Sequence, residues 1–365
     1  MRLIVNFLHR AAEGASVLSL ICRTIATVTK RLTEVAKKAG VSEATVSRVL
    51  NGRGGVSEAT RTAVLTALDV LGYERPTKLR GERARLVGLV LPELQNPIFP
   101  AFAEAVTGAL VQRGFSPILC ARTIGGVSEV DFVEMLLEHR VSGIIFAGGN
   151  YAMVDARHDH YLGLAERRLP VVLVNAGVDG LGYPTVSTDD AVAIEQAFAH
   201  LVSLGHERIG ALLGPADHVP SRRKLEAFNA ALSAYPSIKG EVERSAFSME
   251  GARVVAARLV ERGVTGMLCA SDVLALGAVR AVRRFGLRVP QDMSIVGFDD
   301  SALMTCTDPP LTTVRQPIEA MGQSVVDLLV QQIEGAGVAA EELLFEPELV
   351  VRGSTAPAPV VTPAG

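Results

Sequence analysis

The sequence predicts an α/β protein in which a three-helix bundle of the helix-turn-helix type precedes two doubly wound parallel-sheet lobes. Residues 30–85 contain three short amphipathic helix patterns, whereas residues 86–356 alternate short β-branched runs with longer amphipathic stretches. The charge divides at the same point, because the first segment holds 12 lysines and arginines against 6 acidic residues and residues 86–365 hold 21 against 32. This division indicates a small nucleic-acid-binding module joined to a body that does not contact phosphate.

Length and composition set the broad class of the protein. A chain of 365 residues has room for two or three domains, and its 48% hydrophobic content predicts well-buried cores. No apolar run approaches the roughly 20 residues that cross a bilayer. The four cysteines, Cys22, Cys120, Cys269 and Cys306, are widely separated and lack CxxC spacing, and three of them sit in apolar runs or beside turns. This pattern indicates reduced, buried thiols in a cytoplasmic protein.

Residues 1–29 do not read as an export signal. Charged residues and a histidine interrupt the apolar pattern around residues 17–22, where a signal peptide needs an unbroken core. One interpretation is a disordered extension. The favoured interpretation is that translation starts near Val28 or Thr29, where the ordered pattern begins.

The first two helix patterns meet across a tight turn, within a module that we place at residues 30–76. The first helix is expected to end at Gly40, where a left-handed backbone is least costly, and Ser42 is expected to cap the second. Asn51 stops the second helix, and Ser57 can cap a third. Apolar residues at helical spacing form three stripes: Leu32, Val35, Ala36 and Ala39; Val46, Val49 and Leu50; Val64, Leu65, Leu68 and Leu71. The pattern predicts a helix-turn-helix braced by a third helix.

The second helix of such a module presents its N-terminal residues to base edges in the major groove, while hydroxyls and cations contact phosphate. Arg48 is expected to bond a guanine edge, and Ala44 is expected to contact a thymine methyl group. The alternative is that these residues are the ordinary polar faces of a helical bundle. The predicted DNA contacts in the module are Lys30, Thr33, Ser42, Glu43, Ala44, Thr45, Ser47, Arg48 and Asn51.

A series of motifs runs through the chain in a fixed order. From Leu32 to Asn51 the sequence reads LxxVAxxAGVSxxTVSRVLN, and the later motifs are LGY at 71–73, NPIF at 96–99, SGIIF at 142–146, LGHERIG at 204–210, VPQDMSIVGFDD at 289–300 and PLTTVRQP at 310–317. Over about residues 30–356 the chain resembles the LacI/GalR family of bacterial repressors. The resemblance implies a homodimeric transcription regulator that binds double-stranded operator DNA and a small-molecule effector, most often a sugar.

The link between the module and the body, residues 77–85, departs from the family pattern. Members usually carry a hinge helix whose leucine inserts into the minor groove. Here the stretch is short, and Pro76 and Gly81 disfavour a full helix. Leu79 is therefore the remaining candidate for insertion and completes the predicted DNA contacts. The open alternative is a flexible basic linker that attracts phosphate through Lys78, Arg80, Arg83 and Arg85.

Beyond Arg85, β-branched runs predict strands at residues 86–91, 117–121, 143–147, 171–175, 209–213, 267–270 and 294–298. Two groups of βαβ units predict an N-terminal lobe from residues 86–187 and 316–344 and a C-terminal lobe from residues 188–315 and 345–356. A hinge at the crossings would let the lobes close on a ligand and so couple ligand binding to DNA affinity. Residues 357–365 lack heptads and are expected to form a disordered tail without a coiled coil.

Ligands of doubly wound sheets bind beyond the carboxyl ends of strands, so the residues that follow the predicted strands are the candidates. They mix amide, hydroxyl, carboxylate, cationic and aromatic groups, which suits polyols, although a nucleobase or a sugar phosphate stays possible. The predicted ligand contacts are Asn96, Phe99, Arg122, Asn175, Lys224, Phe247, Ser271, Asp299 and Gln316. The resemblance places Asp299 and Asn175 at hydroxyl-binding positions, Phe247 at an aromatic stacking position, and Lys224 where an arginine is usual. The alternative for Asp189, Asp190, Asp272 and Asp300 is a helix cap or a contact between lobes.

Two other classes of protein compete with this interpretation. A two-lobed sugar-binding protein without a DNA role would have no use for the helix-turn-helix. An enzyme would need a nucleophile-base-orienter set or a phosphate-binding motif, and the glycine pairs at 125–126 and 148–149 lack a P-loop lysine and GxGxxG spacing. His158 and His160, with Asp155, are expected to be surface residues rather than a metal site. We therefore predict no catalytic residues, metal, cofactor or membrane partner.

Overall fold

The computed structural model describes residues 33–50, 55–71, 85–123, 125–178 and 180–359. It divides into two compact units, Met1–Arg85 and Leu86–Gly365. Within the described part of the first unit lie α1 (33–39), α2 (Glu43–Leu50) and α3 (Glu58–Val70). Lys30, Leu32, Asn51 and Leu79 lie outside the described residues, as do Cys22 and the whole of residues 1–29.

The three helices pack as their apolar spacing predicts. Gly40 adopts a positive φ of 69° directly after α1, which a residue without a Cβ does most easily. Ser42 Oγ accepts the backbone N–H of Thr45 at 3.2 Å, and Ser57 Oγ accepts that of Thr60 at 3.2 Å, so both predicted caps are confirmed. The buried core of this unit contains Val35, Ala36, Val46, Val49, Val64, Ala67 and Leu68.

The second unit begins with a lobe built on a six-stranded parallel sheet in the order β11-β5-β4-β3-β1-β2. Its strands are β1 (Arg85–Leu91), β2 (Phe115–Ala121), β3 (Gly143–Phe146), β4 (Val171–Val174), β5 (Thr185–Thr188) and β11 (Glu342–Phe345). Its helices are α4 (Ile98–Gln112), α5 (Glu129–Glu138), α6 (Asp159–Glu166) and α11 (Ile318–Ile333), and a 3-10 turn spans Asn150–Ala152. Two apolar clusters, one on each face of the sheet, form its core.

The other lobe has a six-stranded sheet in the order β12-β10-β9-β8-β6-β7, in which β12 alone runs antiparallel to its neighbour. Its strands are β6 (Arg208–Leu213), β7 (Lys239–Arg244), β8 (Gly266–Cys269), β9 (Ser294–Asp299), β10 (Thr312–Arg315) and β12 (Glu348–Val350). Its helices are α7 (Asp190–Ser203), α8 (Val219–Ala234), α9 (Met249–Glu261) and α10 (Asp272–Arg284), with a 3-10 turn at Ala302–Thr305. The chain passes between the lobes after β5, after β10 and after β11.

Five strands were not anticipated from the sequence. β7 and β11 are edge strands with many polar or exposed residues, and β5 and β10 are short and rich in threonine, so none of them forms an apolar run. β12 is only three residues long. The other strands match the prediction within a few residues, because a buried central strand needs a continuous apolar sequence.

Three expectations about individual residues are wrong. Cys306 is exposed rather than buried, because it ends a 3-10 turn on the surface. His160 is buried against Glu129 and Tyr161 instead of lying on the surface. Ala358 is ordered within the expected tail, since its N–H donates to the carbonyl of Leu204 at 2.8 Å. In the described part of the chain, no helix is long and apolar enough to span a membrane.

Candidate functional site

A cavity of about 380 Å³ lies between the two lobes, at the carboxyl ends of strands from both sheets. This volume falls in the range of small-molecule sites, about 300–1,000 Å³. All nine residues predicted to contact a ligand line it: Asn96, Phe99, Arg122, Asn175, Lys224, Phe247, Ser271, Asp299 and Gln316. The topology of two doubly wound sheets therefore brings together residues that are up to about 220 positions apart in the chain.

Asp299 is the buried acid of this cavity, with 5% of its surface exposed. Its Oδ1 accepts the Gln316 side-chain N–H at 2.7 Å, whereas its Oδ2 is buried near the Asn96 side chain but has no hydrogen-bond partner of normal geometry among the described residues. Burial and the neighbouring Asp272 carboxyl raise the pKa of Asp299 well above its usual value. A buried polar atom without a partner is costly, so this oxygen favours a ligand that supplies a hydroxyl.

Asp272 supports the cavity from behind, and its carboxyl group is completely buried. It accepts hydrogen bonds from the Thr313 hydroxyl at 2.6 Å and from the Ser301 N–H at 2.7 Å. Burial raises the pKa of Asp272 to about 6. Ser271 lines the cavity but also caps α10, because its Oγ accepts the Leu274 N–H at 3.2 Å.

Lys224 provides a buried cation, and this cation is already paired. Its ammonium donates to Asp190 and lies 4.0 Å from the centre of the Phe298 ring. Burial raises the pKa of the Asp190 carboxyl, and Lys224 opposes that rise. The neighbouring Asp189 has a different role, since its Oδ1 caps α7 by accepting the N–H groups at positions 191 and 192.

Amide and guanidinium groups line the opposite lobe. Asn175 lines the cavity with a positive φ of 65°, and its Oδ1 accepts the Thr188 N–H at 3.1 Å. Asn96 is buried and its Oδ1 accepts the Ile98 N–H at 3.3 Å. Arg122 is exposed at the edge of the cavity, and its guanidinium approaches Asn150 Oδ1 at 3.4 Å.

Several cavity residues were not among the predicted ligand contacts. His218 lies in the loop after β6, and its ring meets the edge of Phe247 with centroids 5.2 Å apart. Burial and the charge of Lys224 lower the pKa of His218 to about 4, so the imidazole is neutral at neutral pH. Glu93 and Asp190 also line the cavity. Glu93 follows a predicted strand and Asp190 follows a predicted crossing between the lobes. The rule that ligand-binding residues come directly after strands therefore applies to them as well.

Contacts between the lobes border the cavity on two sides. At the chain crossings, the Thr188 hydroxyl donates to Gln316 Oε1 at 2.7 Å, and the same Gln316 holds Asp299. At the other side, the Val154 N–H donates to the Asp217 carbonyl at 2.8 Å, beside an isolated β-bridge between residues 153 and 218. A ligand bound to Asp299 would therefore act on groups that also hold the lobes together.

The predicted DNA-reading side of α2 is open to solvent. Ser42, Glu43, Ala44 and Arg48 are exposed, and Thr45 and Ser47 are half-buried. The Thr33 hydroxyl donates to Glu43 at 2.6 Å, which joins α1 to the start of α2. These positions alternate with the buried Val46 and Val49, so one face of the helix forms the core and the other is available to a partner.

Comparisons with known proteins agree with both halves of this arrangement. Residues 31–76 match the family "Bacterial regulatory proteins, lacI family", and residues 198–355 match "Periplasmic binding protein-like domain". The chain is 50% identical over 338 residues to the HTH-type transcriptional regulator MalR of Streptomyces coelicolor, covering 91% of this chain and 98% of that protein.

Solved structures give the same result. A complex of the transcriptional regulator CelR with cellobiose is 32% identical, covers 88% of this chain and 99% of its own, and has a TM-score of 0.66. A Lac repressor dimer bound to operator and an anti-inducer is 29% identical, covers 88% and 98%, and has a TM-score of 0.70. The expected fold class and family are confirmed. The protein is a ligand-responsive, DNA-binding transcriptional regulator rather than an enzyme, and it belongs to the LacI family of bacterial regulatory proteins.

Proposed function

We propose that this regulator is a cytoplasmic homodimeric repressor whose affinity for operator DNA changes when a small sugar binds between its lobes. The observation that carries the proposal is the unpartnered Oδ2 of Asp299 in a cavity that also holds amides, hydroxyls and aromatic rings. Sugar hydroxyls both donate and accept, and the C–H face of a sugar ring packs on aromatic side chains. The cellobiose complex of CelR and the operator complex of the Lac repressor dimer support the same assignment by similarity.

The proposed response passes through the groups at the chain crossings. A sugar that donates to Asp299 would act on Gln316, which joins Asp299 to Thr188 at the end of β5. In a dimer, a shift in the spacing of the two recognition helices changes how well they fit successive major grooves. Sugar binding and operator binding then affect one another by the same factor.

The proposal assigns DNA recognition to α2. Arg48 would bond a guanine edge and Ala44 a thymine methyl group, with Glu43 on the same solvent-facing side of the helix. The hydroxyls of Ser42, Thr45 and Ser47 would contact phosphate, and Thr33, which donates to Glu43, would lie at the same interface. Lys30, Asn51 and Leu79 complete the proposed interface. The competing function, a sugar-binding protein without a DNA role, gives no role to the helix-turn-helix module.

The test is operator binding by the full-length protein to the DNA upstream of its own gene, measured by fluorescence anisotropy. Arg48→Ala should weaken specific binding by about 10- to 100-fold, because a bidentate base contact contributes about 1–3 kcal/mol. Arg61→Ala is the matched control, since Arg61 is an exposed arginine on α3, and it should change binding much less. Maltose, cellobiose and lactose are then titrated against the complex, and light scattering gives the oligomeric state.

Two results would contradict the proposal. The DNA role fails if no upstream duplex binds specifically or if Arg48→Ala and Arg61→Ala behave alike. The sugar role fails if operator binding is normal and no sugar alters it. A monomer that binds operator as well as a dimer would remove the proposed oligomeric state.

A further inference from the structure

We propose that the effector is an uncharged sugar and that the cavity between the lobes rejects phosphorylated sugars. This inference rests on the proposed function, since it specifies the charge of the ligand that the same cavity binds. Sequence alone leaves a sugar phosphate possible, because Lys224 and Arg122 are both cations at ligand-facing positions. The partners of these two cations decide between the alternatives.

The buried cation is not available to an anion. Lys224 is 5% exposed, donates to the buried carboxylate of Asp190 and lies over the Phe298 ring. A phosphate at Lys224 would have to compete with a carboxylate that is fixed at the start of α7, and displacing Asp190 would leave it buried without a partner. His218, the third nitrogen base of the cavity, is neutral at neutral pH because burial lowers its pKa.

The other cation lies in water. Arg122 follows β2 at the edge of the cavity, is exposed, and bonds the Asn150 side chain. An ion pair between exposed groups contributes little, because solvent screens it and the side chains lose freedom. Arg122 therefore does not offset the cost of bringing a phosphate into the cavity.

The acidic groups of the cavity offer hydrogen bonds to hydroxyls but no counter-charge to an anion. Asp299 keeps one buried oxygen without a hydrogen-bond partner, and no described residue forms an ion pair with Glu93, which lines the same cavity. A phosphate monoester carries a charge of about −1.5 to −2 at pH 7. Burial raises the pKa of Asp299 well above its usual value and also raises that of Glu93, so these carboxyl groups supply no positive charge to offset the phosphate, whereas a neutral hydroxyl can donate to either one.

The remaining walls suit an uncharged ring. Aromatic and aliphatic side chains make up much of the lining, and they come from both lobes: Phe99, Phe102, Phe247, Phe298, Ile318 and Met321. Such surfaces pack against the C–H face of a sugar ring but cannot solvate a phosphate group. The cavity thus combines a few hydroxyl-binding groups with apolar faces and lacks an unpaired buried cation among its described residues.

The test compares neutral sugars with their phosphate esters by calorimetric titration of the full-length protein. The probes are maltose, cellobiose and lactose, each paired with its 6′-phosphate, in buffer of constant ionic strength without inorganic phosphate. At least one neutral sugar should bind, and its ester should bind about 100-fold more weakly or not at all. An ester that binds as tightly as its parent sugar, or more tightly, overturns the inference.

Two variants test whether the buried ion pair of Lys224 and Asp190 causes the discrimination between sugars and their phosphate esters. Asp190→Asn removes the carboxylate that forms the ion pair with Lys224. The ratio of sugar affinity to ester affinity should therefore fall at least about tenfold. Asp189→Asn is the matched control, because it makes the same charge change one residue away, outside the cavity lining, and asparagine still caps a helix. The control should keep the wild-type ratio. Equal ratios in both variants would show that the ion pair does not exclude phosphate.

A second variant covers the case in which Asp190→Asn does not fold, as judged by its thermal melt. Glu93→Gln removes the half-buried carboxylate that has no ion-pair partner and should also lower the ratio, although by less. An unchanged ratio in Glu93→Gln counts against the inference. If operator binding is intact but no sugar of either series binds, the proposed sugar response fails, and the charge assignment fails with it.

Discussion

At the residue scale, two neighbouring carboxyl groups have different roles because their partners differ. Asp299 has one bonded and one unpartnered oxygen and lines the cavity, whereas both oxygens of Asp272 accept hydrogen bonds from the protein. Burial raises the pKa of both groups. We therefore assign Asp299 to the ligand and Asp272 to the support of the site, and each assignment gives a separate prediction.

Asp299→Asn should weaken the effector response by about 10- to 100-fold and leave operator binding unchanged. The asparagine oxygen must keep accepting from Gln316, so an amide nitrogen replaces the free oxygen that a hydroxyl would contact. A buried hydroxyl that loses its hydrogen-bond acceptor costs about 1–3 kcal/mol. The response is measured as the sugar concentration that half-releases operator DNA. Asp292→Asn, a substitution in a surface ion pair, is the control, and a wild-type response in Asp299→Asn would remove that residue from the site.

Asp272→Asn should stabilise the protein at neutral pH but not at pH 4. Burial raises the folded-state pKa of Asp272 to about 6, above the unfolded value of about 3.9, so its contribution is fully present below pH 4 and is lost as pH rises through 6. The loss corresponds to roughly 3 kcal/mol above pH 6. Urea unfolding at pH 4, 6 and 7.5 measures the difference from wild type. A constant difference across this range would show that the carboxyl titrates normally.

At the element scale, the segment between β3 and α6 forms part of the cavity wall. Hydrogen bonds within its own lobe and to the other lobe fix its position. Burial raises the pKa of Glu129, but hydrogen bonds from His160, Tyr161 and the Asn150 N–H outweigh it, and the net pKa is lowered. Glu129 is therefore an ionised anchor under the 3-10 turn at Asn150–Ala152. The same segment continues to Val154, whose N–H reaches the other lobe.

Val154→Pro should weaken effector binding by about two- to tenfold without changing operator affinity in the absence of sugar. Proline removes the N–H that donates to the Asp217 carbonyl across the cleft, and a hydrogen bond of this kind contributes about 0.5–1.5 kcal/mol. The preceding Met153 is already extended, at φ −109° and ψ 117°, as a residue before proline prefers. Calorimetric titration measures the effect. Val154→Ala keeps the N–H and should bind normally, so equal losses in both variants would exclude the backbone contact as the cause.

At the scale of the whole molecule, the net charge of −3 is an average over two segments with different partners. The basic residues 30–85 contain the helix-turn-helix, and the acidic residues 86–365 contain the cavity. Binding to DNA releases counterions and is strongly salt-dependent, whereas binding of an uncharged sugar is not. The two activities should therefore respond differently to salt.

Raising the salt from 50 to 200 mM should weaken operator binding by at least about tenfold and change sugar affinity by less than about twofold. Anisotropy with operator DNA and calorimetry with the sugar measure the two affinities on one preparation. The linker residues 77–85 can be tested in the same way, because Leu79→Ala should lower affinity without changing the salt slope if Leu79 inserts between bases. A sugar affinity as salt-sensitive as DNA binding would contradict an uncharged effector.

The sequence alone determined the helix-turn-helix, most central strands and the positions that line the cavity. Local rules suffice for these features, since caps, apolar stripes and the residues after buried strands follow from spacing. It did not predict the edge strands β7 and β11, whose residues satisfy no apolar pattern. Nor did it place His160, which packs against a glutamate 31 positions earlier in the chain.

Only the tertiary structure decided how the polar groups of the cavity are paired. The sequence shows Lys224 as a cation at a ligand-facing position, but the fold places Asp190 beside it and so uses its charge within the protein. Likewise, the fold leaves one oxygen of Asp299 without a partner while it satisfies both oxygens of Asp272. Pairing depends on distances between residues that are far apart in the chain, whereas residue type and spacing fix only which groups are present.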